Sequence, residues 1–320
     1  MPTLSNASVA DPQERDGRAS SGAPAVLAAS EQALGSERMQ NTLPVIRLEA
    51  RKGWIGLNWK EFWRYKDLLW FLASRDIKVR YKQTALGVAW AVIQPIAETM
   101  IFFFFFHKLG GISSDGPNYV VFAFSAMLIW KLFESALTQA SNSLVANQQL
   151  LTKVYFPRLI IPVSAVLSGL MDFVISAFLL IPLMIYFGTV PNPLALLAVP
   201  VFIAMALLAA LAVGLWLSAL NVQYRDVRYI VPFLIRIWFF LTPVIYPASK
   251  VPEQWRLLYG LNPMAGVVTG FRWALLGGSG HDPSDSPGGM IWVSCLMTLA
   301  LLFGGLYYFR RMEKTFADVV

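Results

Sequence analysis

Few side chains of this 320-residue sequence could do chemistry. His107 and His281 lie far apart, and neither shares a metal-ligand spacing with Cys, Asp or Glu, so no zinc or iron site is expected. Cys295 is the one cysteine and can form no disulfide within the chain. No G-x-x-x-x-G-K-[ST] pattern occurs, and the glycine turn "LLGGSGHD" lacks the lysine that would meet a nucleotide's phosphates. The chain therefore binds no ATP by that route, and uphill work would draw on a partner or an ion gradient. What remains is a set of ionisable groups inside apolar stretches: Glu98, Lys131, Glu134, Asp172 and Arg236. Such groups are costly at membrane depth, so each points to an ion pair or a wetted wall. Lys131 and Glu134 stand three apart on one helical face and can pair. Glu98, Asp172 and Arg236 have no partner close in sequence. A pair across helices is favoured for Asp172 and a channel wall for Arg236, against a salt bridge from Arg236 to Glu98, Glu134 or Asp172.

The elements that must position these groups follow from composition. Hydrophobic residues make up 56% of the chain and charged residues 14%, with a mean hydropathy of +0.54, the profile of an all-α polytopic membrane protein. Apolar runs near 86–107, 119–140, 159–187, 193–219, 229–247 and 290–309 give six expected transmembrane helices. With both termini cytoplasmic, sixteen Lys and Arg fall in inner segments and four in outer ones, the bias of the positive-inside rule. The net charge of +7 is thereby spent on topology, and no nucleic acid is expected as a partner.

Three regions result. Residues 1–45 are rich in Ala, Ser, Gly and mixed charge and read as a disordered cytosolic tail. Residues 46–85 read as an amphipathic interface segment, in which "WKEFWRYKDLLWFLASRDIKVRYKQ" mixes aromatics with Arg75, Lys78, Arg80 and Lys82, as either a helix lying at the headgroups or a generic positive-inside anchor would. Residues 86–320 hold the six spans. Between spans five and six, two short helices are expected, near 252–259 and opening at Asn262–Pro263, either as a lid dipping back toward the bundle or as a plain loop. The loop after span two, "LLTKVYFPRLIIP" at 150–162, interrupts the apolar pattern with a lysine, an arginine and two prolines.

Five stretches, "RDIKVRYKQTALGVAWAVIQP" at 75–95, "LLTKVYFPRLIIP", "LWLSALNVQYRDVRYIVPF" at 215–233, "FLTPVIYP" at 240–247 and "YGLNPMAGVVTGFRWALLG" at 259–277, resemble the permease subunit of type-2 ATP-binding-cassette polysaccharide exporters, in order and over residues 45–320. The resemblance implies a homodimer that works with two copies of a separate cytosolic ATPase in the inner membrane. ATP and Mg2+ would sit on that partner, with no cofactor on this chain and no enzyme activity of its own. It implies that the loop after span two is a coupling helix entering a cleft of the ATPase, with Asn147, Leu151, Lys153, Tyr155, Phe156 and Arg158 as contacts. It also implies extracytoplasmic gate helices, where Asn262, Arg272 and Trp273 are the candidates. A conduit for a lipid-linked polysaccharide needs rings for the apolar C–H faces of sugars and hydrogen bonds for their hydroxyls. Phe102, Phe105, Trp130, Arg236, Phe239, Phe240 and Tyr246 are the candidates for that wall. The alternative from another class is a membrane-embedded transferase of sugars or lipid-linked intermediates, which would need clustered carboxylates or histidines.

Overall fold

The computed structural model describes residues 59–82, 87–114, 118–191, 193–277, 288–313 and 316. The tail expected over 1–45 lies outside the described residues, which contain no strand. Helices α1 (Trp59–Arg64) and α2 (Lys66–Lys82) precede the bundle. The bundle runs through α3 (Gly87–Phe102), α4 (Tyr119–Ala146), the short α5 (Gln148–Lys153), α6 (Ile160–Ser168) and α7 (Leu170–Tyr186). It continues with α8 (Pro193–Leu196), α9 (Val199–Gln223), α10 (Val227–Phe240), α11 (Glu253–Tyr259), α12 (Pro263–Leu276) and α13 (Gly288–Met312).

Among the described residues, five helical stretches are long and apolar enough to cross a membrane: Ala89–Leu109, Tyr119–Ala146, Ile160–Tyr186, Pro193–Gln223 and Gly288–Met312. In the first, α3 passes into a wider π-helical turn over Phe103–Leu109, so the five consecutive phenylalanines are shared between two helical geometries. The stretch expected as a span at 229–247 differs. Its helix, α10, has 14 residues, about 21 Å of rise against a hydrocarbon core of about 30 Å. After Phe240 the chain turns through Thr242 and Pro243 as buried, non-helical backbone. Backbone of that kind is tolerated at membrane depth only where protein satisfies its polar groups, and the residues that do so lie far off in sequence.

The core is built around α4. Asn118 caps its first turn, its side chain accepting from the Val120 amide at 2.9 Å, and most of the helix is buried. Small residues let α9 approach it closely. Ala206, Ala209, Ala210 and Ala212 are all buried, and a Cβ on Gly214 would meet the Ala140 methyl at 2.6 Å, so only glycine permits this crossing. A second apolar cluster sits at the end of the bundle that carries α5. It joins Leu72 of α2, Leu144, Leu151, Phe156, Leu159, Leu215, Phe309 and Phe316. One small core thus ties the segment before the bundle, the 150–162 loop and the end of α13.

Candidate functional site: a braced loop and a polar cavity within the bundle

The loop at 147–158 alternates between anchoring and display. Leu151 and Phe156 turn into the second cluster, at 8% and 5% exposure, while Lys153 and Val154 are exposed and Tyr155 shows 71% of its surface. The chain is extended at Val154 (φ −131°, ψ 134°), and an extended backbone sends successive side chains to opposite faces, which separates Tyr155 from Phe156. Two arginines brace the ends. Arg75 of α2 donates to Asn147 Oδ1 at 2.7 Å and pairs with Asp76 at 2.8 Å. Arg158 donates to the Glu313 carbonyl and its guanidinium lies 5.9 Å from the centre of the Phe316 ring. Of the expected contacts, Lys153 and Tyr155 form the displayed surface, whereas Asn147, Leu151, Phe156 and Arg158 hold it in place. Sequence reading leaves Phe316 and Glu313 unnamed, because their partner Arg158 is 155 residues from Glu313 and further still from Phe316.

Four of the five charges singled out inside the bundle, Glu98, Lys131, Glu134 and Asp172, are paired. Lys131 Nζ lies 2.9 Å from Glu98 and 3.1 Å from Glu134, so the local pair expected for Lys131 and Glu134 takes in Glu98 from the neighbouring helix. Asp172 accepts from Arg80 and from the Tyr81 hydroxyl, the pair across helices expected for it. Burial first, then the hydrogen bond to Asp172, pushes the Tyr81 phenol well above its ordinary range, so it stays a donor. Of the four basic residues expected at the interface, Arg75 and Arg80 are committed to partners within the protein, and Lys78 and Lys82 are exposed. Both ion-pair groups border a cavity of about 490 Å3 between the end of α2 and helices α3, α4 and α7. Its polar face on α4 carries Lys131, Ser135, Thr138 and Gln139, a three-and-four spacing that is readable in the sequence yet was not singled out.

The aromatic candidates divide by burial. Trp130 is 2% exposed and packs edge-on to Phe239 at 5.5 Å; Phe239 stacks on Phe102 at 5.6 Å. This trio joins helices, and Trp130 offers no surface to a ligand within this chain. Phe105 and Phe240 are exposed and Tyr246 is half-buried. Arg236 lies on the exposed face of α10 with Phe233, Ile237 and Phe240. Among the described residues no carboxylate comes within salt-bridge distance of it, and Glu98, Glu134 and Asp172 are engaged elsewhere. The salt-bridge reading of Arg236 is therefore removed.

The residues expected at a gate hold the break after α10. Arg272, 6% exposed, donates to the carbonyls of Pro243 at 2.9 Å, Val244 at 2.6 Å and Phe122 at 3.2 Å, with its guanidinium 3.5 Å from the centre of the Phe122 ring. Asn262 caps α12 by accepting from the Met264 amide, accepts from Trp238 Nε1 at 2.8 Å, and donates to Thr242 Oγ1 at 2.9 Å. Tyr259 donates to the Leu241 carbonyl at 2.6 Å and shares a 2.6 Å hydrogen bond with Tyr246. Burial, and then Tyr246, push its phenol well up. Helices occur at Glu253–Tyr259 and Pro263–Leu276, and the second is a core helix, with Trp273 half-buried on it.

Membrane-length helices, paired charges between them and irregular buried backbone sealed by an arginine define a polytopic membrane protein. The chain belongs to the ABC-2 type transporter family, which matches residues 67–276, from the first turn of α2 to the last residue of α12. Among curated proteins it is similar to the O-antigen export system permease protein RfbA of Myxococcus xanthus, at 32% identity over 67% of this chain and 82% of that one. A protein of the same name from Klebsiella pneumoniae is 27% identical over 79% of this chain and 95% of its own length. The polysialic acid transport protein KpsM of Escherichia coli is 22% identical over 76% and 92%.

Proposed function

We propose that this chain is the transmembrane permease subunit of an ATP-driven exporter that moves a lipid-linked polysaccharide, O-antigen-like or capsular, across the inner membrane. The observation that carries the reading is the match along 95% and 82% of the length of two permeases named for O-antigen export. Two copies would enclose the channel, with α10 and the buried segment after it as a sixth crossing, both termini cytoplasmic, and α11 and α12 as re-entrant elements on the outer side. Two copies of a separate cytosolic ATPase would bind ATP and Mg2+.

The geometry supports the parts in different ways. Lys153 and Tyr155 stand on a loop clamped at both ends, so a push on them would be carried into α2 and α13 rather than lost in a slack turn. A lipid-facing arginine at mid-helix costs about 2.5–3.5 kcal/mol on insertion scales. The exposed Arg236 therefore favours water or a second copy, with Phe240 beside it to meet sugar C–H faces. Pairing of Glu98, Glu134 and Asp172 with cations leaves little for an acid-base pair and weighs against a transferase. The test is co-expression with a cassette ATPase and assay of ATP-dependent movement of lipid-linked polysaccharide into inverted vesicles. Movement that needs both proteins supports the reading. Transferase activity of the lone chain, with no ATPase bound, overturns it.

A further inference from the structure

Among the described residues, the cavity between α2, α3, α4 and α7 gathers chemistry that reaches beyond structure. At about 490 Å3 it falls in the size range of small-ligand sites. Its lining sets cations beside acids: Arg80 with Asp172, and Lys131 with Glu134, the latter lysine also holding Glu98. Two cations against three carboxylates give a field that does not favour a phosphate. Each cation keeps N–H groups beyond those its partner takes, and each carboxylate keeps lone pairs. Donors and acceptors thus alternate at short range, which suits groups that donate and accept at once, namely hydroxyls. Gln94 and Thr138 extend the same character along the walls. At the edge, Trp90 is on the lining and 57% exposed, a broad apolar plate beside the polar floor.

We propose that this cavity binds an uncharged, hydroxyl-rich saccharide segment, with Trp90 stacked on a sugar face and the Lys131–Glu134 and Arg80–Asp172 pairs reading its hydroxyls. The proposal deepens the export reading, which supplies only the origin of the sugar. It places a glycan contact between helices of a single chain, away from the Arg236 face. The ion pairs act as preformed hydrogen-bonding arrays whose charges are already compensated, so a neutral ligand enters without stranding an ion. Aromatic contact of this kind is worth about as much as a ring pair, so removal of the indole weakens binding about two- to tenfold.

The test is saturation-transfer NMR on the full chain in nanodiscs prepared without sugar detergents, with maltotriose, mannotriose and chitotriose as probes at millimolar concentration. A signal from at least one probe is expected, falling about two- to tenfold in Trp90→Ala, retained in Trp90→Phe, and unchanged in Trp63→Ala, an exposed tryptophan away from the cavity. Silence from all three probes overturns the site. So does a signal indifferent to Trp90, or one displaced by phosphorylethanolamine, which would assign the cavity to a lipid headgroup. The readout needs no ATPase. Binding by a chain that recruits none keeps the site and removes the export reading, whereas an exporting chain with no Trp90-dependent signal keeps export and removes the site.

Discussion

Adjacent residues of the 150–162 loop should separate stability from coupling. Phe156 is 5% exposed within the cluster of Leu72, Leu151, Phe309 and Phe316, whereas Tyr155 is 71% exposed. Truncating a buried phenylalanine to alanine removes its transfer energy and leaves a cavity, together about 3–5 kcal/mol. The site lies near the end of the bundle, where neighbours can relax, so the lower part of that range is expected for Phe156→Ala. Truncating Tyr155 removes almost no buried contact, and Tyr155→Ala should change stability by no more than about 0.5 kcal/mol. If Tyr155 meets the ATPase, however, an interface tyrosine of this kind is worth about 2 kcal/mol, roughly thirtyfold in affinity. The assay is a pair of measurements on each purified variant, the thermal unfolding midpoint and the affinity for the co-expressed ATPase. Phe156→Ala should lower the midpoint by several degrees, and Tyr155→Ala should leave it in place while weakening the complex. Equal loss of stability in both variants, or full ATPase affinity in Tyr155→Ala, would refute the division of roles.

Arg272→Met should leave the Pro243 and Val244 carbonyls without their donor inside the protein, about 1–3 kcal/mol each, and a thermal melt should show the loss as a lower midpoint. Asp172→Asn should destabilise less, about 1–2 kcal/mol, because the Arg80–Asp172 pair is about 30% exposed on each side and is partly screened. Tyr259, with its phenol held above the ordinary value of 10.0, favours the protonated form when folded, so its contribution is complete below pH 10 and falls as pH rises beyond it. Melts of the native chain should decline more steeply above pH 10 than those of Tyr259→Phe.

Runs of twenty or so apolar residues declare a membrane crossing by length alone, and five of the expected spans coincide with long helices for that reason. The stretch at 229–247 reads the same way, yet what ends its helix at Phe240 is a turn whose carbonyls are satisfied by Arg272, about thirty residues further on. Hydropathy carries no trace of such a donor. Lys131 and Glu134 were legible because a helix brings residues three apart together, while Glu98 joins them only through the packing of α3 on α4. The Arg80–Asp172 pair spans 92 positions, so its existence was foreseen and its partner was not. Tyr155 and Phe156 are nearly alike in composition, and only the local backbone direction sends one out and one in. The cavity on α4 left a readable signal in the spacing of Lys131, Ser135, Thr138 and Gln139, but its other walls come from three separate helices.

The proposed export requires that this chain move polysaccharide only while a separate ATPase hydrolyses ATP. Proteoliposomes holding the purified chain, with and without the cassette ATPase, measured for ATP-dependent translocation of a lipid-linked polysaccharide, test it most directly. Translocation that requires ATP and the ATPase together, and that weakens in Tyr155→Ala, is expected. Translocation by the chain alone, or none with both proteins present and ATP being hydrolysed, would contradict it.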